Sequence, residues 1–180
     1  MKAKIWCLGL SRTGTTTLSE VLNKVGYRHI HYPTDEQMLD MNNDGCGDIP
    51  VIPVYKQLDK RFPNSKFIYT IRDKDAWLKS MEPYLERKKS WHQSPRQINI
   101  RKEVYSEPFF RYNTYSESYD FWDKDFREYF KYRPNDFLVL DIIGGDSPQK
   151  LAEFLDDGKK YPDVFPHYNK LVDGKGVQIK

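Results

Sequence analysis

Hydrophobic residues in this chain recur in short runs separated by segments of helical period. Ala3 to Leu10, centred on Ile5-Trp6-Cys7-Leu8, is a nearly unbroken apolar run, as expected of a strand covered on both faces. The period then changes: Leu18, Val21, Leu22 and Val25 fall at i, i+3, i+4 and i+7, which predicts a helix over Thr15 to Val25 ended by Gly26. Tyr27 to Tyr32 predicts a second strand, closed by Pro33, and Thr34-Asp35-Glu36 supplies a cap and an acidic first turn for a short helix to about Met41. Asn42 to Gly47 reads as loop. A helix follows Asp48-Ile49-Pro50 and ends near Phe62, Lys66 to Ile71 is the clearest strand after the first, and Asp73 or Asp75 caps the next helix. That helix carries Trp77, Leu78 and Met81 on one side and Ser80 near its middle.

Between Tyr84 and Phe110 no steady apolar period survives, so an irregular lid or loop with short helical pieces is expected, with Arg87-Lys88-Lys89 as a solvated face or a basic lid. Aromatic residues at mixed 3 and 4 spacing from Tyr112 to Tyr132 suit a long helix packed across a sheet. Phe137 to Asp141 predicts a last strand, and Ser147-Pro148 opens a helix through Phe154-Leu155. Beyond Gly158 an extended tail is expected. Strands alternating with helices imply an α/β fold with a mostly parallel sheet, whose ligands sit beyond the carboxyl ends of its strands. The glycine-containing stretch after the first strand, Arg72 and Asp141 all fall at such ends.

Composition narrows the function more than the fold. A chain of 180 residues fits one domain, and no apolar run approaches the roughly 18 residues of a membrane span. The first strand begins almost at Met1, leaving no room for a signal peptide, so a cytoplasmic setting is the expectation. Two cysteines, Cys7 and Cys46, are too few for a disulfide framework or a zinc cluster and read as bystanders. A net charge of +3 does not indicate a nucleic-acid surface, while clustered cations can still serve a small anionic ligand. The oligomeric state is not legible.

Candidate chemistry lies in two places. Gly9-Leu10-Ser11-Arg12-Thr13-Gly14-Thr15-Thr16 joins strand to helix and matches the nucleotide-binding pattern G-x-x-x-x-G-K-[ST] at Gly9, Gly14 and Thr16, with Thr15 in the lysine slot. Two glycines five apart let the backbone turn tightly, and the helix start adds its N–H groups and dipole, which makes a cradle for a phosphate-like anion. Arg12 is the nearest cation. The second place is Arg72, at a strand end, with Ser80 eight residues on in the following helix, a pair suited to gripping a second phosphate.

The two together resemble the 3′-phosphoadenosine 5′-phosphosulfate-dependent sulfotransferase superfamily. Ser11-Arg12-Thr13-Gly14-Thr15-Thr16 is similar to its 5′-phosphosulfate loop, with Arg12 in the basic position, and Arg72 and Ser80 match its 3′-phosphate pair. The likeness extends to Phe62-Pro63-Asn64-Ser65-Lys66-Phe67-Ile68, Phe137 to Ile142, and Phe165-Pro166-His167-Tyr168-Asn169. It implies a three-layer P-loop NTPase-like fold and metal-independent transfer of a sulfuryl group from 3′-phosphoadenosine 5′-phosphosulfate to a hydroxyl or amine, leaving adenosine 3′,5′-bisphosphate.

Arg12 is then the expected stabiliser of developing charge, and a general base would take the acceptor proton. The candidates are His29, His31, Asp35, Glu36 and Asp48. Asp48 comes first, resembling the acidic base position of some branches although a helix cap accounts for it equally well, and His31 second. His167 and Asn169 order the tail or touch the acceptor. Two other classes stay open: a P-loop kinase of nucleotides or small molecules, with Asp141 as its magnesium-linked acid, and a non-catalytic nucleotide-binding module. The acceptor, whether small molecule, glycan, lipid or peptide, is not legible.

Overall fold

The computed structural model describes residues 2–89, 93–166, 171–172 and 175–176. Five strands form one sheet: β1 (Ile5–Cys7), β2 (His29–His31), β3 (Gly45–Gly47), β4 (Lys66–Thr70) and β5 (Phe137–Leu140), in the spatial order β2-β3-β1-β4-β5 with every pairing parallel. The helices are α1 (Thr15–Lys24), α2 (Asp35–Leu39), α3 (Tyr55–Arg61), α4 (Lys74–Lys89), α5 (Pro95–Tyr105), α6 (Tyr112–Phe130) and α7 (Pro148–Leu155). This is the expected three-layer P-loop-like α/β fold. A short antiparallel pair, β6 (Leu171–Val172) and β7 (Lys175–Gly176), follows in the tail. His167 and Asn169 lie outside the described residues. Among those described, no helix is long and apolar enough to cross a membrane.

Alternation along the strands divides the core into two. Ile5 and Cys7 of β1 and Ile68 of β4 pack with Leu18, Val21 and Leu22 of α1 and Leu151 of α7. Trp6, Phe67 and Tyr69 point the other way, onto Phe62, Trp77, Tyr105, Tyr115 and the aromatic face of α6. The expected packing of α6 is therefore present. Phe130 stacks on Phe137 with ring centroids 4.7 Å apart, and Tyr69 meets Phe126 edge-on at 5.0 Å. Such pairs add about 0.5–1.5 kcal/mol each beyond the area they bury. Both cysteines are free and buried, which pushes each thiol up to about 12.

Two expectations are corrected. Asn42 to Gly47 is not all loop: Gly45-Cys46-Gly47 is a strand at the centre of one half of the sheet, between β1 and β2. Its composition carries no strand propensity, and pairing on both edges supplies the order instead. Glycine is needed at position 45, where a Cβ would come within 1.9 Å of the Ile5 carbonyl oxygen. Most of the described residues between Tyr84 and Phe110 are likewise helical, in two longer pieces than expected. α4 runs through Pro83 to Lys89, and α5 begins at a capping box in which Ser94 accepts the Gln97 N–H while the Gln97 side chain accepts that of Ser94. Smaller differences are a first strand of three residues and a 3₁₀ turn (Ile52–Val54) that precedes α3.

Candidate active site

Above the carboxyl ends of β1, β2, β3 and β4 the residues singled out in the sequence come together. The loop leaves β1, and Gly14 ends it at a left-handed φ of 102° as the N-cap of α1. A β-carbon there would be strained and would press on Ile142 at 3.2 Å. The start of α1 has no side-chain cap and no acidic residue in its first turn. Helices α2 and α5, by contrast, are closed by their own Thr34–Gln37 and Ser94–Gln97 boxes. The first N–H groups of α1 therefore remain for an anion.

The loop is held from behind. Trp77 Nε1 donates to the Ser11 carbonyl at 2.8 Å, and Ser11 N–H donates to Tyr105 Oη at 2.9 Å. Thr13 is buried, with its hydroxyl on the Leu10 carbonyl at 2.7 Å and against Thr70 Oγ1 at 2.8 Å, so it fixes the loop and does not face the mouth. Arg12 takes a left-handed φ of 72°. Its Nε donates to Ser80 Oγ at 3.2 Å, and its guanidinium lies 5.5 Å from the Tyr84 ring. Arg72 in turn donates Nη1 to the Arg12 carbonyl at 3.4 Å. Arg12, Arg72 and Ser80, 68 positions apart at the extremes, are thus one hydrogen-bonded group. Burial lowers the pKa of both arginines; the neighbouring Arg72 and Arg87 add to this at Arg12, while Asp141 and Asp73 oppose it at Arg72. The Arg72 Nε is buried without a partner. An anion at this point would satisfy it, so the donor set fits a phosphate.

On the opposite flank His31 Nε2 lies 3.1 Å from Asp48 Oδ2, 3.2 Å from Thr15 Oγ1 and 3.3 Å from Thr16 Oγ1. Three oxygens around one ring nitrogen favour the tautomer with hydrogen on Nε2, since each can accept from it. The Thr15 hydroxyl proton can then turn toward an anion, and Nδ1 carries the lone pair. Asp48 is buried, has a left-handed φ of 81°, and accepts the Ile49 N–H on Oδ1 at 2.8 Å. The two leading base candidates are therefore one pair. Burial draws the His31 pKa down, but the charge and hydrogen bond of Asp48 outweigh it and leave the imidazole above the ordinary histidine value.

The remaining candidates stand apart. His29 points to the same side of β2 but is packed against Ser19 Oγ at 2.9 Å, and burial with the nearby His31 depresses its pKa to about 3. Asp35 pairs at 3.7 Å with Arg96, and Glu36 is exposed in α2. Asp141 accepts the Gly144 N–H on Oδ1 at 2.6 Å, inside the turn that leaves β5. A cavity of about 680 Å³, with Met38, Pro53, Leu58, Arg96 and Ile100 in its wall, lies between α2, α3 and α5 and contains none of the loop residues.

Sequence patterns missed Tyr105 of α5, which meets the Ser11 N–H, and Tyr84 of α4, which lies beside the Arg12 guanidinium, with Arg101 in electrostatic reach of Tyr84 and of Lys88. The Ser94-Pro95-x-Gln97 signature of α5 was the available signal, because it places a helix where no apolar period does.

Comparison with curated protein sequences returns no match. A family model described as a sulfotransferase domain matches residues 34–173, which include Asp48, Arg72 and Ser80 and begin after the loop and His31. With most of its length matched, the chain belongs to the sulfotransferase domain family.

Proposed function

We propose that the protein transfers a sulfuryl group from 3′-phosphoadenosine 5′-phosphosulfate to a hydroxyl or amine of an acceptor. The observation that carries this is the hydrogen-bonded union of Arg12, Ser80 and Arg72 beside the uncapped start of α1, which offers two anion grips side by side. Ser11, Arg12, Thr13, Gly14, Thr15 and Thr16 form the loop for the 5′-phosphosulfate: the backbone and the Thr15 and Thr16 hydroxyls donate, and Thr13 holds the shape. Arg72 and Ser80 take the 3′-phosphate, and the orphaned Arg72 Nε is one donor for it. Bound there, the donor supplies a sulfuryl group: one bond forms from sulfur to the acceptor oxygen or nitrogen, and one breaks to the bridging oxygen.

The protein's own part is positioning and charge. Arg12 lies in a partly desolvated setting, where a cation stabilises charge building on a leaving oxygen more strongly than in water. His31, oriented by Asp48, accepts the acceptor proton, and the imidazolium so formed is stabilised by the carboxylate. Asp48 orients and compensates; His31 moves the proton.

Isothermal titration with adenosine 3′,5′-bisphosphate tests the donor site, and binding without magnesium is the expected result. Tight binding of ATP–magnesium with none of the bisphosphate would overturn the proposal in favour of a kinase. Mass spectrometry of an acceptor panel, searching for the added mass of a sulfuryl group, tests turnover.

A further inference from the structure

We infer that the acceptor carries an anionic oxyacid group, a carboxylate or a phosphate, beside the hydroxyl or amine that is modified, and that Arg101 of α5 grips it. This deepens the sulfotransferase reading above and rests on it.

Arg101 is the one arginine buried below a tenth of its surface among the described residues, at 6% exposed. Its Nε and Nη2 are both buried and without a hydrogen-bond partner. Those two N–H groups lie parallel along one edge of the planar guanidinium, the edge that meets both oxygens of a carboxylate or two oxygens of a phosphate. The other cation buried this deeply is treated differently: Lys4 Nζ donates to the Asp40 carbonyl at 2.5 Å and to Asn43 Oδ1 at 2.7 Å. Arg133, less buried, is forked onto Asp59 and also meets Asp136. An unmatched buried guanidinium edge is unfavourable in the free protein, and a bound anion removes the penalty.

Its position fits the acceptor side. Arg101 and Tyr105 are one turn apart on the same face of α5, and Tyr105 Oη meets the Ser11 N–H of the loop. The side chains within electrostatic reach of Arg101 include Tyr32, the residue after His31, together with Tyr84 and Lys88 of α4. Tyr32 and Tyr84 each have both Asp48 and Arg101 in electrostatic reach, and Tyr115 of α6 is a further neighbour of Arg101, so the arginine belongs to the same group of side chains as Asp48. Asp48 already serves His31 and the Ile49 N–H and is not a partner for Arg101. Lys88, with Nζ 5.6 Å from the Tyr84 ring, adds positive potential that draws in an acid.

The test is calorimetric binding to protein saturated with adenosine 3′,5′-bisphosphate. The probes are glucose, glucuronate and glucose 6-phosphate, and on a second scaffold 4-methylphenol and 4-hydroxyphenylacetate. At least one acid is expected to bind about tenfold or more tightly than its neutral counterpart, as a charge-assisted pair provides. The sugar pair separates a carboxylate from a phosphate. In Arg101→Met the preference is expected to fall below about twofold, with bisphosphate affinity held within about threefold and the melting temperature of the free protein unchanged or raised. Arg101→Lys, which keeps the charge and loses the fork, provides the same comparison should the methionine variant fail to fold, with at least about a threefold fall in preference expected.

Equal binding of acids and neutral analogues, or binding of neither, overturns the inference. So does a tenfold loss of bisphosphate affinity in Arg101→Met with acid preference intact, which assigns Arg101 to the donor. Failure of the unmodified protein to bind the bisphosphate is a different result, which removes the donor reading itself.

Discussion

The two flanks of the mouth treat their polar groups differently. On the β4 flank Arg12, Arg72 and Ser80 hold one another and leave a single Arg72 donor, Nε, unmatched, so most of the geometry for an anion exists before it arrives. On the β2–β3 flank the His31–Asp48 pair is equally well held, but Arg101 of α5, which shares Tyr32 and Tyr84 with Asp48 as neighbours, has one edge unmatched. A preorganised group loses little order when its ligand binds, whereas an unmatched one is a penalty that only the right ligand removes. On the proposed reading, the first flank takes the donor and the second selects among acceptors.

The comparison breaks first at the proton-handling pair. Asp48→Asn and His31→Gln are each expected to lower kcat by about 10²- to 10⁴-fold while bisphosphate affinity changes little. Steady-state kinetics beside titration calorimetry separates the two effects, and an equal loss of both would mean that the flanks do not divide the work. On the proposed reading His31 acts unprotonated, and because its pKa is raised kcat should climb with pH through a midpoint above the ordinary histidine value. Asp48→Asn should move that midpoint down.

On the donor flank, Arg72→Ala is expected to weaken the bisphosphate by about 10- to 100-fold, the worth of charge-assisted hydrogen bonds, with Arg12→Ala in the same range. Unchanged affinity in both would place the donor elsewhere.

Acid stability sharpens the contrast within one strand. His29 has its pKa depressed to about 3 in the fold against roughly 6.5 when unfolded, so the unfolded chain binds the extra proton. Stability is then lost as pH falls from about 6.5 toward 3, by up to roughly 1.4 kcal/mol per pH unit. His31 runs the other way: its raised pKa contributes stability that is complete below about 6.5 and disappears as pH rises through the folded value. His29→Gln should flatten the decline of melting temperature between pH 6 and 4, and His31→Gln should not. The smallest effect belongs to Ser80→Ala, about two- to tenfold in bisphosphate affinity by titration, because it removes one neutral hydrogen-bond partner.

The legible part of the molecule is local. A run of apolar residues before Gly9 and a helical period after Thr15 specify strand, turn and helix among near neighbours, and the loop's chemistry follows from them. The same holds for β4, the Asp73 cap that accepts the Ala76 N–H at 2.9 Å, and Ser80 in the helix beyond it. β3 was invisible because glycine and cysteine carry no strand pattern and the order comes from β1 and β2 on either side. The long run after Tyr84 shows little apolar period because, among the described residues, its two helices bury only Leu85 and, in α5, Ile100, Arg101, Val104 and Tyr105.

By itself, then, the sequence determined the alternating α/β plan, the anion cradle at the start of α1 and the candidates Arg12, His31, Asp48, Arg72 and Ser80. Tertiary structure alone decided that His31 and Asp48 form one pair, that Arg12 meets Ser80, and that Arg101 is buried with an unmatched edge. The physical reason is range. Periodicity and capping act within a turn or two of chain, whereas a hydrogen bond between residues 17 or 68 positions apart exists only once the parallel sheet has set their strand ends side by side.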